Sequence, residues 1–167
     1  MASLAVRVDT NPSNGRRLPP LVVSATLGIP AQDPAETALT LMRGAISTGL
    51  RPGIVDADLS YFDNTAPEKL HQPASDIGFT PSTDYRGDRT DALRNRQAFS
   101  YGSPKWMDFH NGSRRAVEAV SAWLKQSPTF SAPAVSGFTA TQVLLTMTLA
   151  TYNLREIERA NARASGA

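Results

Sequence analysis

The hydrophobic pattern divides the chain into a front that reads as strands around one helix and a back that reads as helices. Leu4-Ala5-Val6-Arg7-Val8 is rich in β-branched residues and predicts a short strand. Asp9-Thr10-Asn11-Pro12-Ser13-Asn14-Gly15 is a dense cluster of turn formers. Leu21 to Leu27 predicts a second strand with Leu21, Val23, Ala25 and Leu27 on one face, so the two runs suggest a hairpin with a long connection. Asp33-Pro34 places a good N-cap before a residue suited to the first helical position, and Ala38, Leu41, Met42 and Ala45 follow at helical spacing up to Gly49. Ile54-Val55-Asp56-Ala57-Asp58 predicts a third strand. A strand, helix, strand succession argues for an α/β domain with some parallel pairing.

Between Asn64 and Asn95 periodicity is poor, with Pro and Asp scattered through it. Ile77 to Tyr85 predicts a strand edged or broken by Pro81, and the rest of that region reads as loop. The last third is helical in pattern. Ser113 is placed to cap a helix to Lys125 with Ala116, Val117, Val120 and Leu124 on its apolar face. Thr139-Ala140-Thr141-Gln142 matches a capping box. Behind it Val143, Met147, Ala150, Leu154 and Ile157 mark one long stripe. No internal repeat or second domain is visible, so residues 1–167 read as one α/β domain.

Composition narrows the classes. The 167 residues are 41% hydrophobic, enough for a core. There is no cysteine, which excludes disulfides and thiolate metal sites and makes the cytoplasm the expectation. The opening residues lack the apolar run of a signal peptide, and no stretch has the length of a membrane span. Net charge is +2, but its distribution is uneven. Up to Asp84 there are six Lys/Arg against nine Asp/Glu, and from Tyr85 onward eleven against six. An acidic front and basic back suit a metal site beside phosphates, although solvated helix faces would look the same.

Three sets of residues could carry chemistry. Asp58 ends a strand, where a sheet fixes a carboxylate and the loop beyond stays open; Asp56 shares its face and could share a cation. Arg114, Glu118 and Lys125 form the second set. At about 100° per residue, Glu118 lies about 40° round from Arg114 and Lys125 about 20° back, so all three project along one stripe. A carboxylate between two cations can hold metal while its neighbours hold phosphate; ordinary helix salt bridges are the alternative. His71 and His110 are the only histidines, too few for a zinc site, and read as core or surface residues. Trp106 and Trp123 read as packing residues rather than base-stacking ones.

Arg114-x3-Glu118-x6-Lys125 resembles the Y-x2-R-x3-E-x6-K signature of three-carboxylate insertion-sequence transposases. Tyr101-Gly102-Ser103-Pro104-Lys105-Trp106, Ala122-Trp123-Leu124-Lys125 and Asn153-Leu154-Arg155-Glu156-Ile157 are similar to the tail of actinobacterial members. Leu18-Pro19-Pro20-Leu21-Val22-Val23, Arg51-Pro52-Gly53-Ile54 to Tyr61, His71-Gln72-Pro73 and Asp84-Tyr85-Arg86 continue the likeness upstream. The resemblance implies an RNase H-like fold, here an incomplete one with a mixed sheet of a few strands. It implies Asp58 as the second catalytic aspartate and Glu118 as the catalytic glutamate, both holding Mg²⁺ or Mn²⁺. Arg114 and Lys125 would hold DNA, and the activity would be DNA strand cleavage and transfer in a bacterial cytoplasm.

The departures are as informative. Asn111 stands where the signature has tyrosine. An insertion expected between the Asp84 and Tyr101 segments, at about residues 86–100, is missing. The likeness begins after the strand that carries the family's first aspartate, although Asp9-Thr10 could imitate that site. Loss of a bridging carboxylate removes the metal pair, so DNA affinity is expected to outlast turnover. A non-catalytic DNA-binding derivative, which could pair with itself or with a full-length relative, and a gene remnant remain open beside the enzyme.

Overall fold

The computed structural model describes residues 2–9, 18–28, 32–57, 59–61, 69–83, 98–127 and 135–166. They form a mixed α/β arrangement of four α-helices and two small sheets. The first sheet is an antiparallel hairpin of β1 (Ala2–Arg7) and β2 (Leu21–Leu27). Ala5 pairs with Ser24 but Val6 pairs with Val22, so Val23 is the extra residue of a β-bulge. A bulge resets the two-residue alternation. Ala2, Leu4, Val6, Val22 and Leu27 therefore pack together, whereas strict alternation from Leu21 through Val23 would have turned Val22 outward.

The opposite face of the hairpin meets α1 (Pro34–Ser47). Asp33 caps this helix as expected: its Oδ1 accepts from the Ala35 N–H at 2.9 Å, and Pro34 occupies the first turn. Gly44 is the point of close approach. A Cβ there would overlap Ser24 Oγ and lie 3.3 Å from Ser24 Cβ, so α1 settles closest to β2 at this glycine. The helix ends at Ser47, and Gly49, at φ 87°, donates its N–H to the Ile46 carbonyl at 2.9 Å.

The second sheet pairs β3 (Ile54–Ala57) with β4 (Thr80–Thr83) in parallel, Asp56 beside Ser82. Pro81 lies within β4 opposite Val55. Between the strands runs α2 (His71–Asp76), where the sequence pattern suggested loop. Pro73 does not prevent this helix. It occupies the first turn, whose N–H groups have no intrahelical partner to lose. Ala35, Ala38, Leu39, Met42, Leu70, Ala74 and Phe79 form one buried cluster, with Val55 and Ala57 of β3 packed against it.

Two long helices complete the fold. The first, α3 (Pro104–Gln126), begins well before the Ser113 start read from the sequence. Its cap is Ser103, whose Oγ accepts from the Trp106 N–H at 3.2 Å, with Pro104 at the first position. Ser113 is interior and donates its hydroxyl to the Phe109 carbonyl at 2.8 Å. The second, α4 (Phe138–Ser165), starts after Gly137, at φ 95°, and has no side-chain cap. The expected capping box is not formed, because Thr139 is already helical. Val120 and Leu124 of α3 join Leu145, Leu149 and Tyr152 of α4 and the hairpin in a second buried cluster. Among the described residues no helix is long and apolar enough to cross a membrane.

Candidate functional site

The best-defined polar contact joins β3 to α3. Strand alternation turns Val55 and Ala57 toward the α1 cluster and Asp56 to the other face, where α3 lies. There His110 Nδ1 donates to Asp56 Oδ1 at 3.0 Å, and the two side chains are only 11% and 5% exposed. A carboxylate offers acceptors alone, which assigns the ring proton to Nδ1. Trp106, one turn earlier on α3, stacks on the imidazole with ring centroids 4.7 Å apart and planes 14° from parallel. Tyr101 also packs on Trp106, with ring centroids 4.7 Å apart and planes tilted by 57°. Beside Asp56, Ser82 is fully buried and its hydroxyl has no partner among the described residues.

Both histidines are buried, His71 at 5% and His110 at 9% exposure, in agreement with a core role. Trp106 is also a packing residue, at 4% exposure. Trp123 packs on Tyr152 at 5.2 Å within the second cluster. The sequence reading left Asp56 free to share a cation with Asp58. One partner of Asp56 comes from 54 residues away. The i, i+4 spacing of Trp106 and His110 was the available signal, but nothing local connected it to β3.

Glu118 and its neighbours are placed differently. The Arg114 and Glu118 side chains are 63% and 67% exposed, and Arg114 Nε lies 3.8 Å from Glu118 Oε1. Lys125 is exposed as well. All three stand on the flank of the inward face, which is marked by Trp106, His110, Ser113, Val120 and Leu124. At 1.5 Å per residue, Glu118 is about 12 Å along the axis from His110. An exposed pair at this separation is worth only about 0.3–0.5 kcal/mol, so the pair is an ordinary helix salt bridge in energetic terms. Asn111, at the signature's tyrosine position, is exposed.

Asp58, the expected second aspartate, lies outside the described residues, as do Asp84, Tyr85, Arg86 and most of residues 86–100. Asp9, the possible stand-in for the first aspartate, accepts the Leu18 N–H on Oδ2 at 3.0 Å and so ties the two ends of the hairpin connection together. Among the described residues no three His, Asp or Glu side chains gather in a metal-binding group.

Val117 is out of place. Spacings of four, three and four residues put Ser113, Val117, Val120 and Leu124 in one inward row, yet Val117 is 39% exposed between buried neighbours. His110 anchors the front of α3 over β3, while Val120 and Leu124 cover the hairpin. Val117 falls between these two attachments. The two sheets are separate, each of two strands. Tyr61 donates to Ser3 Oγ of β1 at 3.1 Å.

Comparison of the chain with protein-family models, with curated proteins and with solved structures found no match.

Proposed function

We propose that this chain is a transposase-type DNA-processing protein that holds DNA phosphate through the exposed stripe of α3 and in which strand cleavage is impaired. The observation that carries the reading is the docking of α3 on β3. The His110–Asp56 hydrogen bond seats the helix bearing Arg114, Glu118 and Lys125 on the strand that leads to Asp58. The expected mixed sheet is replaced by two separate two-stranded sheets, and only the parallel β3–β4 pair with α1 and α3 beside it supports an incomplete RNase H-like domain.

Asp58 and Glu118 would hold Mg²⁺ or Mn²⁺, and carboxylate oxygens are the donors such hard cations take. Asp56 is engaged by His110, whereas Glu118 is exposed. When bound, the metal supplies activation of water or of a DNA 3′-hydroxyl and stabilisation of the leaving oxygen. Arg114 beside Glu118 limits the local negative charge and offers a forked donor to phosphate.

A second reading, a DNA-binding derivative without turnover, is favoured by Val117. An inward apolar residue left open between two short sheets is what a domain lacking one central strand would display. Nicking of supercoiled DNA in Mg²⁺ or Mn²⁺ separates the two. Slow nicking abolished by both Asp58→Ala and Glu118→Ala supports the impaired enzyme. Retained DNA binding without any nicking supports the derivative. A non-cooperative thermal transition together with no DNA binding would support a gene remnant and refute both.

A further inference from the structure

The face of α4 that points away from the fold carries a second apolar row. Ala140, Val143, Met147, Ala150, Leu154 and Ile157 are separated by three, four, three, four and three residues. That is the 3.5-residue period of a coiled-coil seam, and it runs about 26 Å along the helix. This is the stripe that the sequence pattern singled out, but the fold does not use it. Val143 is 50% exposed, Met147 65%, Leu154 63% and Ile157 40%, while Leu145, Thr148, Leu149 and Tyr152 occupy the inward face.

The outward aim of the seam is locked by Asn153. Its Oδ1 accepts the Val22 N–H at 2.9 Å and its Nδ2 donates to the Val22 carbonyl at 2.8 Å. Both bonds reach β2 next to the bulge, where the side-chain amide takes the place of a neighbouring strand. The helix cannot roll to bury Met147 and Leu154 without breaking both bonds. The seam is therefore preorganised, and a partner need not order it on binding.

We infer that the seam is the contact surface for a second copy of this chain, with the two α4 helices antiparallel about a two-fold axis. Packing selects the direction. Antiparallel alignment sets Ala140 opposite Ile157, Val143 opposite Leu154 and Met147 opposite Ala150, so larger side chains meet smaller ones and each layer occurs twice. Parallel alignment would set Ala150 against Ala150 and Met147 against Met147, alternating a void with a crowded layer. Charge agrees. From Phe138 to Leu154 the helix has no ionisable Lys, Arg, Asp or Glu, whereas Arg155, Glu156, Glu158, Arg159 and Arg163 all lie beyond it. Antiparallel pairing sets each charged end beside a neutral end.

The inference is independent of the DNA reading and is tested on the full chain. Sedimentation velocity over a concentration series should show reversible dimerisation, and Met147→Glu and Leu154→Glu should each weaken it by about tenfold or more. Circular dichroism melts of both variants, at concentrations where the parent is monomeric, should match it, because the substituted side chains are exposed in the monomer. Direction is read by disulfide trapping, since the chain has no native cysteine. In a mixture of Val143→Cys and Leu154→Cys chains the mixed disulfide should form faster than either symmetric one. A monomer at every concentration overturns the proposal, and so does preferential Leu154→Cys self-linking, which means parallel helices. Binding of the monomer to phosphatidylcholine vesicles would assign the stripe to a lipid surface and equally overturn it.

Discussion

Replacing His110 by alanine probes the contact on which the α3–β3 arrangement rests. The substitution removes the Nδ1 donor held 3.0 Å from Asp56 Oδ1 and leaves a carboxylate that is only 5% exposed. Leaving that buried carboxylate without its donor costs about 2.5 kcal/mol. Loss of the Trp106 stack adds about 0.5–1.5 kcal/mol. The two losses together come to about 3–4 kcal/mol. For a chain of this size that corresponds to a fall in melting temperature of about 6–16 °C. Asp56→Asn keeps an acceptor for the imidazole and should cost about 1 kcal/mol. Urea unfolding of the parent, both single variants and the double variant supplies the numbers, and the cycle should give a coupling above about 1 kcal/mol. A His110→Ala loss below about 0.5 kcal/mol, or additive single effects, would mean that the two side chains are not bonded in the folded chain.

Three other outcomes follow from the packing. Asn153→Ala deprives the Val22 N–H and carbonyl of their partner and should cost about 2–4 kcal/mol, with faster hydrogen exchange at the Val22 amide; unchanged protection there would contradict the anchor. Gly44→Val drives a side chain into Ser24 and should destabilise by about 1–3 kcal/mol in the same unfolding assay, whereas a neutral result would mean that α1 and β2 are not in close contact. Burial, reinforced by the Glu156 carboxylate and partly offset by Arg159, raises the Tyr152 phenol above its ordinary 10.0. The unfolded chain then ionises first, so the contribution of Tyr152 is fully present below about pH 10 and is lost as pH rises through the folded value. Tyr152→Phe should flatten the alkaline fall in stability, and an identical alkaline profile would argue against a buried phenol.

Much of the element order was legible because it rests on local rules. Asp33-Pro34 carries its cap and first turn in adjacent residues, and β2 matches the span Leu21–Leu27 read from its apolar run. The start of α3 was equally local, in Ser103-Pro104, but Ser113 offered a competing cap closer to the periodic residues. The remaining differences come from contacts distant in sequence. A bulge at Val23 inverts one side of β2, and Asn153 decides which of two apolar rows on α4 faces inward. Periodicity finds both rows but cannot rank them, since an unburied row and a buried one share the same spacing. At the candidate site the Arg114–Glu118 stripe followed from helical geometry alone. The Asp56–His110 pair did not, because it joins a strand and a helix 54 residues apart.

The central claim is that α3 presents its cations to DNA phosphate, and salt-dependent binding of duplex DNA tests it most directly. Affinity should fall steeply with salt, and Arg114→Ala and Lys125→Ala should each reduce the logarithmic salt slope by about one while leaving stability within about 0.5 kcal/mol. Absence of binding at low salt, or slopes unchanged in both variants, would contradict it.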